Sequence, residues 1–328
     1  MSFKSDITPT KVHIEGSVLL KIVKHARENS PTTIYGQNLG HQEGDVLQIT
    51  NCFPLLDLDS YNTDVLALVQ QSHYDAATVG LYCSTVYSEY YDLEMAQVMA
   101  QHQSLYPNSV MVVYNPVLSQ AGQLSVRVVR LSENFLKMEK TNSFTADSFK
   151  EHQVTGATIF ESVPFVIHNP HIIHAYLWEL DATKSLDATD IILNPIPASH
   201  IVSLITELSS ASTVPGTNNT HASYLEYYQT LLERYQRDTA WVARQKADYT
   251  RKTEELRVEN ERRQRNGLKP LNVPDAPKLN EPSIVDIQLM AQRIDAIATD
   301  LTSMTTAAQQ KQIILKRFVH NADSWSRD

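Results

Sequence analysis

The sequence predicts an α/β domain followed by long carboxy-terminal helices, and three observations carry that reading. Through about residue 135, short runs of β-branched and aromatic residues alternate with segments whose apolar residues recur every three or four positions. Beyond a Pro, Gly, Thr and Asn stretch at 214–220, two segments keep apolar residues at heptad spacing for many turns. The chain has 328 residues, 42% of them hydrophobic, which suffices for a buried core.

Taken in order, residues 17–27 place Val18, Leu19, Ile22, Val23 and Ala26 at helical spacing, and Gly16-Ser17 can start that helix. Residues 34–39 and 46–53 read as strands joined by a turn at Glu43-Gly44-Asp45. Helices are expected at 61–74 and 92–106, the second with Asp92 and Glu94 in its first turn, where carboxylates suit the helix dipole. Between them lies the strand around Val79. Strands at 109–114 and 124–131 follow, separated by a turn at 120–123.

The stretch Val79-Gly80-Leu81-Tyr82-Cys83-Ser84-Thr85-Val86-Tyr87 reads as a strand running into a loop, with Ser84 and Thr85 displayed where α/β proteins place their chemistry. It resembles the centre of the MPN (JAMM) domain, whose metalloprotease members carry G-W-Y-H-S-H-P there. The resemblance implies a mixed sheet flanked by helices. It also implies where a zinc site would stand: the family's two histidines fall on Cys83 and Thr85, its proline on Val86, its aspartate about at Ala96, and its upstream glutamate on Thr33. A hydrolytic zinc needs three protein ligands, an open position for water and a carboxylate to take that water's proton. Thr33, Cys83, Ser84, Thr85 and Ala96 would then be a degenerate pocket, with no metal, no cofactor and no enzymatic activity.

The segments Ile49-Thr50-Asn51-Cys52-Phe53-Pro54, Tyr82-Cys83-Ser84-Thr85 and Trp178-Glu179-Leu180 are in addition similar to one branch of these proteins, the h subunits of eukaryotic translation initiation factor 3. Membership of that branch implies a non-catalytic scaffold. Its MPN domain would pair with the MPN domain of the factor's f subunit, and its last helix would join the helical bundle of other factor subunits. The small ribosomal subunit would be reached through that complex, which acts in translation initiation. The alternatives are a dead MPN subunit of a proteasome-lid or signalosome particle, or an isopeptidase with an unorthodox metal.

The expected organisation is an MPN domain with its extension at 1–180, a connector with a mobile Pro/Gly/Thr/Asn loop at 181–220, a long helix at 221–267, a rigid spacer with four prolines at 268–282, and a bundle helix at 283–320. In the first long helix Leu225, Tyr228, Leu232, Tyr235, Val242, Tyr249 and Leu256 share one seam. The second opens at Ser283 in a capping-box-like start, and Ile287, Met290, Ile294, Ile297, Leu301, Met304, Ala308, Leu315 and Phe318 share its seam. At 1.5 Å per residue it spans roughly 50 Å. A seam of that length calls for partner helices, and these residues are the expected partner interface.

Other features have plainer readings. The net charge of −9 argues against the whole molecule binding nucleic acid. The Arg- and Lys-rich run 244–269, with Arg262-Arg263-Gln264-Arg265 its densest part, is interleaved with Glu254, Glu255, Glu259 and Glu261, as on a solvated helix, although RNA contact is its sharper reading. Cys52 and Cys83 read as reduced, buried thiols. His168, His171 and His174, spaced by three around Pro170, read as part of a packed connector. The amino terminus lacks a basic-then-apolar leader and no apolar run is of membrane-spanning length, so a cytoplasmic location is expected.

Overall fold

The computed structural model describes residues 8–30, 32–55, 59–72, 75–120, 124–141, 146–179, 217–266 and 284–325. The expected Ser283 cap, the proline spacer at 270–282 and most of the connector at 181–220 lie outside them. Eight strands form one sheet: β1 (Lys11–Glu15), β2 (Ile34–Glu43), β3 (Val46–Pro54), β4 (Thr78–Ser84), β5 (Val110–Tyr114), β6 (Val126–Leu131), β7 (Phe160–Ser162) and β8 (Phe165–His168). Their order across the sheet is β7-β6-β5-β4-β2-β3-β1-β8. The sheet is mixed, as expected. Strands β4 and β5, β1 and β3, and β1 and β8 run parallel, while β2 pairs antiparallel with β3 and β4, and β6 with β5 and β7.

Both faces are covered, and the alternation along β5 shows why. Val110, Val112 and Tyr114 point to one face and Met111 and Val113 to the other. On the first face lies α1 (Gly16–Asn29), whose Val18, Leu19, Ile22 and Ala26 are buried against Ile14 of β1 and Ile49 of β3. The second face carries α3 (Leu93–Leu105) and α5 (Glu133–Thr141), which bring Met99, Phe135 and Met138 onto Met111, Val129 and Leu131. Helices α2 (Asp59–Gln71), α4 (Pro116–Gln120), α6 (Ala146–Glu151) and α7 (Gly156–Ile159) link these layers.

Beyond the sheet, residues 171–179 form helix α8, and two long helices follow: α9 (Thr217–Arg265, 49 residues) and α10 (Ile284–Trp325, 42 residues). Helix α9 begins at Thr217, inside the stretch read as a loop, where Thr and Asn are also good residues for a helix start. Arg293 of α10 stands over the ring of Tyr227, and Asp300 lies beside Tyr224, so the two helices run antiparallel. Their pairing buries Tyr224, Leu231, Met290, Ile294 and Ile297 together. Val285 and Leu289 join the core under α3. Gln288 accepts a hydrogen bond from the Gly156 N–H at 2.9 Å, which ties α10 to α7.

Three expectations change. First, the seam of α9 differs at its start: Tyr224 and Leu231 are buried and Leu225 is 52% exposed, while Tyr228, Leu232 and Tyr235 pack beside them and Val242 is buried as expected, so the apolar face is wider than a two-position heptad seam. Second, the beginning of the α10 seam needs no other chain, since α9 and the domain itself cover Met290, Ile294 and Ile297. Third, the histidine segment packs only at its start. Val163 is buried, yet Ile172, Tyr176 and Trp178 are exposed, because α8 lies beyond the outermost strand with no described layer over it.

Gly80 faces Val110 across the parallel β4–β5 pair, and a side-chain carbon there would collide with the Val110 carbonyl oxygen. Gly80→Ala is expected to lower stability by about 1–3 kcal/mol, the usual cost of forcing atoms into a filled core. Urea unfolding of the two proteins checks this, and equal midpoints would show that the strands can spread.

Candidate functional site

The chain leaves β4 as an eight-residue loop, residues 85–92, at the carboxyl ends of the parallel strands β4 and β5. Loops in that position carry the functional groups of open α/β sheets. Thr85 is anchored first: its N–H donates to the Tyr114 carbonyl at 3.0 Å, and its hydroxyl accepts from the Glu89 N–H at 3.0 Å. Ser88 takes a left-handed backbone (φ 52°), which lets the loop turn back on itself, and its carbonyl accepts from Tyr91 N–H.

The positions singled out in the sequence come together here. Cys83 and Ala96 share the apolar cluster beneath α3, with Met99, Met111 and Val113. Burial pushes the Cys83 thiol up to about 12, so it stays protonated at neutral pH. Ser84 is buried opposite Ile34. Thr33, just before β2, donates its hydroxyl hydrogen to the Glu89 carboxylate. Thr33 and Thr85 thus both hold Glu89, one through the side chain and one through the backbone. The donor set does not suit zinc: one buried neutral thiol, two hydroxyls engaged with Glu89, and a methyl group. Among the described residues no three His, Cys, Asp or Glu side chains gather as a metal site.

What covers the loop was not foreseen. The Tyr224 hydroxyl donates to the Val86 carbonyl, and the Asn115 amide donates both to that carbonyl (3.0 Å) and to the Tyr224 oxygen (3.1 Å). Tyr87 stacks on Tyr227 with 4.3 Å between ring centroids and an interplanar angle of 11°. Arg293 donates to the Tyr87 carbonyl at 3.1 Å, lies 3.5 Å from Glu89 and stands 5.2 Å over the Tyr227 ring. Farther along α10, Asp300 accepts from Arg127 of β6 at 2.8 Å. Burial raises the Asp300 carboxyl above its ordinary range, partly offset by Arg127 and by Ser88. Between loop and helix remains a cavity of about 10 Å³ lined by Thr85, Ser88, Tyr90, Asn115, Arg127 and Asp300, room for about one water.

Two family models match the chain. Residues 7–104 match "JAB1/Mov34/MPN/PAD-1 ubiquitin protease", and residues 119–324 match "C-terminal region of eIF3h". The second spans well over half of the sequence. The chain belongs to the eIF3h family. Among curated relatives, the H subunit of Xenopus laevis eukaryotic translation initiation factor 3 is 28% identical over 90% of this chain and 89% of its own length. The H-B subunit of the same factor in Danio rerio is 27% identical over 91% of each. The Arabidopsis thaliana H subunit is 31% identical over 55% of this chain and 56% of its own length. An MPN domain followed by long helices is therefore the architecture of this eIF3h-family chain, as its sequence suggested.

Of the seam residues expected at a partner interface, Met290, Ile294, Ile297 and Met304 are buried in this chain, and Ile287 and Leu301 are half-buried. Leu315 and Phe318 belong to α10, but their side chains lie outside the described residues. Sequence reasoning gave no site role to Glu89, Arg293 or Asp300, and read Asn115 only as a strand end and Tyr224 only as a packing residue. Arg293 and Asp300 interrupt an apolar helix next to seam positions, a signal that such a charge is matched somewhere. Nothing in the sequence says that the match for Asp300 lies 173 residues upstream, or that Arg293 meets Glu89 and the Tyr87 carbonyl, the latter 206 residues upstream. Along α9, Arg251, Arg257 and Arg263 pair with acids three or four residues away, which fits the solvated-helix reading of the basic run.

Cys52 donates to the Val18 carbonyl in the opposite core, and its thiol is likewise pushed up to about 12 by burial. Both thiols are raised above their unfolded value. Their preference for the neutral form stabilises the fold below the ordinary thiol range, and that contribution is lost as pH rises toward 12. A disulfide reagent at pH 8 is expected to modify neither cysteine in the native protein and both in urea. Rapid modification of one thiol without denaturant would contradict the buried placement.

Proposed function

We propose that this protein is a non-catalytic scaffold subunit of eukaryotic translation initiation factor 3, acting in the cytoplasm to help assemble the factor for ribosome recruitment and translation initiation. The observation that carries the reading is family membership across nearly the whole chain: relatives matched over about nine-tenths of their length are named as the H subunit of that factor. The donor set described above supports the non-catalytic part. Thr33, Cys83, Thr85 and Ala96, at the places where the MPN metalloproteases hold their base and zinc, cannot hold and deprotonate a water.

Assembly would use two surfaces. The MPN domain pairs with that of the f subunit, and the end of α10 joins helices of other subunits. The structure changes which residues of the seam to assign to this task. Met290, Ile294 and Ile297 hold the chain's own layers together, so a partner would meet the stretch beyond Met304, where Leu315 and Phe318 continue the spacing. Each apolar side chain buried there contributes roughly 1.5–3 kcal/mol.

The test is co-purification of the tagged chain from cells. Wild type is expected to bring down the subunits of the factor, the f subunit among them, and to carry no stoichiometric zinc. Leu315→Asp with Phe318→Asp is expected to reduce the bundle subunits at least tenfold while leaving the f subunit bound. Recovery of proteasome-lid or signalosome subunits instead, or one zinc per chain lost on Cys83→Ser, would overturn the assignment.

A further inference from the structure

The loop at 85–92 stands where an MPN metalloprotease would present its zinc to an isopeptide, and the contacts over it come from the far end of the sequence. Tyr224 and Tyr227 of α9 sit on Val86 and Tyr87, and Arg293 of α10 reaches Glu89 and the Tyr87 carbonyl. We propose that α9 and α10 form a built-in lid over this loop, locked by Arg293 between Glu89 and Tyr227, which shuts the former catalytic face against any isopeptide-bearing protein.

Three features distinguish a lid from incidental packing. The first is the continuity of the lock. One carboxylate, Glu89, takes the Thr33 hydroxyl on one side and Arg293 on the other, so the residue at the family's general-base position is linked to the lid through a single side chain. Second, the lid supplies hydrogen bonds to half-buried carbonyls of the loop. The Val86 carbonyl, which also accepts from Asn115, receives the Tyr224 hydroxyl, and the Tyr87 carbonyl receives the Arg293 guanidinium; an acceptor left unpaired away from water is costly. Third, a separate tether lies to one side of the loop, where Arg127 of β6 holds Asp300 with the Asp300 side chain only 3% exposed. The helices therefore grip the domain at the loop and again at the sheet. Replacing the lost zinc ligands would not by itself reopen the face, because substrate access is blocked by side chains 138 and 206 residues away in sequence, those of Tyr224 and Arg293.

The closure belongs to the isolated 328-residue chain and stands whether or not the chain enters the initiation factor. Hydrogen exchange read by mass spectrometry tests it on four forms of that chain: wild type, Arg293→Glu, Tyr227→Ala, and the swap Glu89→Arg with Arg293→Glu. In wild type the amides of Thr85, Glu89 and Tyr91, all hydrogen-bonded, are expected to exchange slowly. Arg293→Glu, which sets two carboxylates face to face, and Tyr227→Ala are expected to speed exchange in residues 85–92 about tenfold with β5 unchanged, as local opening does. The swap restores the ion pair but not the guanidinium on the Tyr87 carbonyl and the Tyr227 ring, so it is expected to recover part of the protection. Loop exchange unchanged in both single variants would overturn the proposal. So would acceleration spread equally over loop and β5 in both, since the helices would then be part of the global folding unit and not a lid.

Discussion

A half-buried carbonyl with no strand partner is the constraint on which the rest of this structure depends. At Val86 the chain has left β4, and its C=O no longer has a ladder to enter. Asn115 and Tyr224 supply the hydrogen bonds. Asn115 does this while its side-chain Oδ1 accepts from the N–H groups of Val117 and Leu118, so that one side chain also opens α4. Placing the Tyr224 ring there fixes the amino-terminal end of α9 on the loop. Antiparallel pairing then places α10 across the same loop, with Arg293 and Asp300 brought to Glu89 and Arg127. The domain and its carboxy-terminal helices are thereby one packed body, although β5 ends at Tyr114 and α9 begins only at Thr217.

The same arrangement bears on the proposed absence of catalysis. Cys83 turns its thiol into the apolar layer under α3, where the neutral form is favoured. Thr33 is a hydroxyl donor to Glu89. Tyr224 and Tyr227 stand against Val86 and Tyr87, so the loop after β4 serves as a platform for packing.

Much of the fold was legible where periodicity is strong. In α1 the positions Val18, Leu19, Ile22 and Ala26 prove buried, and β4 ends where Ser84 and Thr85 suggested. Strands β1 and β8 escaped notice because five- and four-residue segments such as Lys11–Glu15 give almost no periodic signal, and their strand character comes from pairing with each other and with β3. The seam of α10 was legible as a seam, but which body would bury it was not. That depended on antiparallel pairing with α9, which sequence spacing does not specify. The roles of Asn115, Tyr224 and Arg293 at the loop were not legible for the same reason, since each role exists only through a partner distant in the chain.

The most direct test of one packed body is a double-mutant cycle between Asn115 and Tyr224, using Asn115→Ala, Tyr224→Phe and the pair, with stability measured by urea unfolding of the 328-residue chain. If the Tyr224 hydroxyl, the Asn115 amide and the Val86 carbonyl form one network, the two losses will overlap and give a coupling energy of about 1 kcal/mol. Additive effects, with a coupling below about 0.3 kcal/mol, would mean that α9 does not rest on the loop and that the helices stand apart from the MPN sheet.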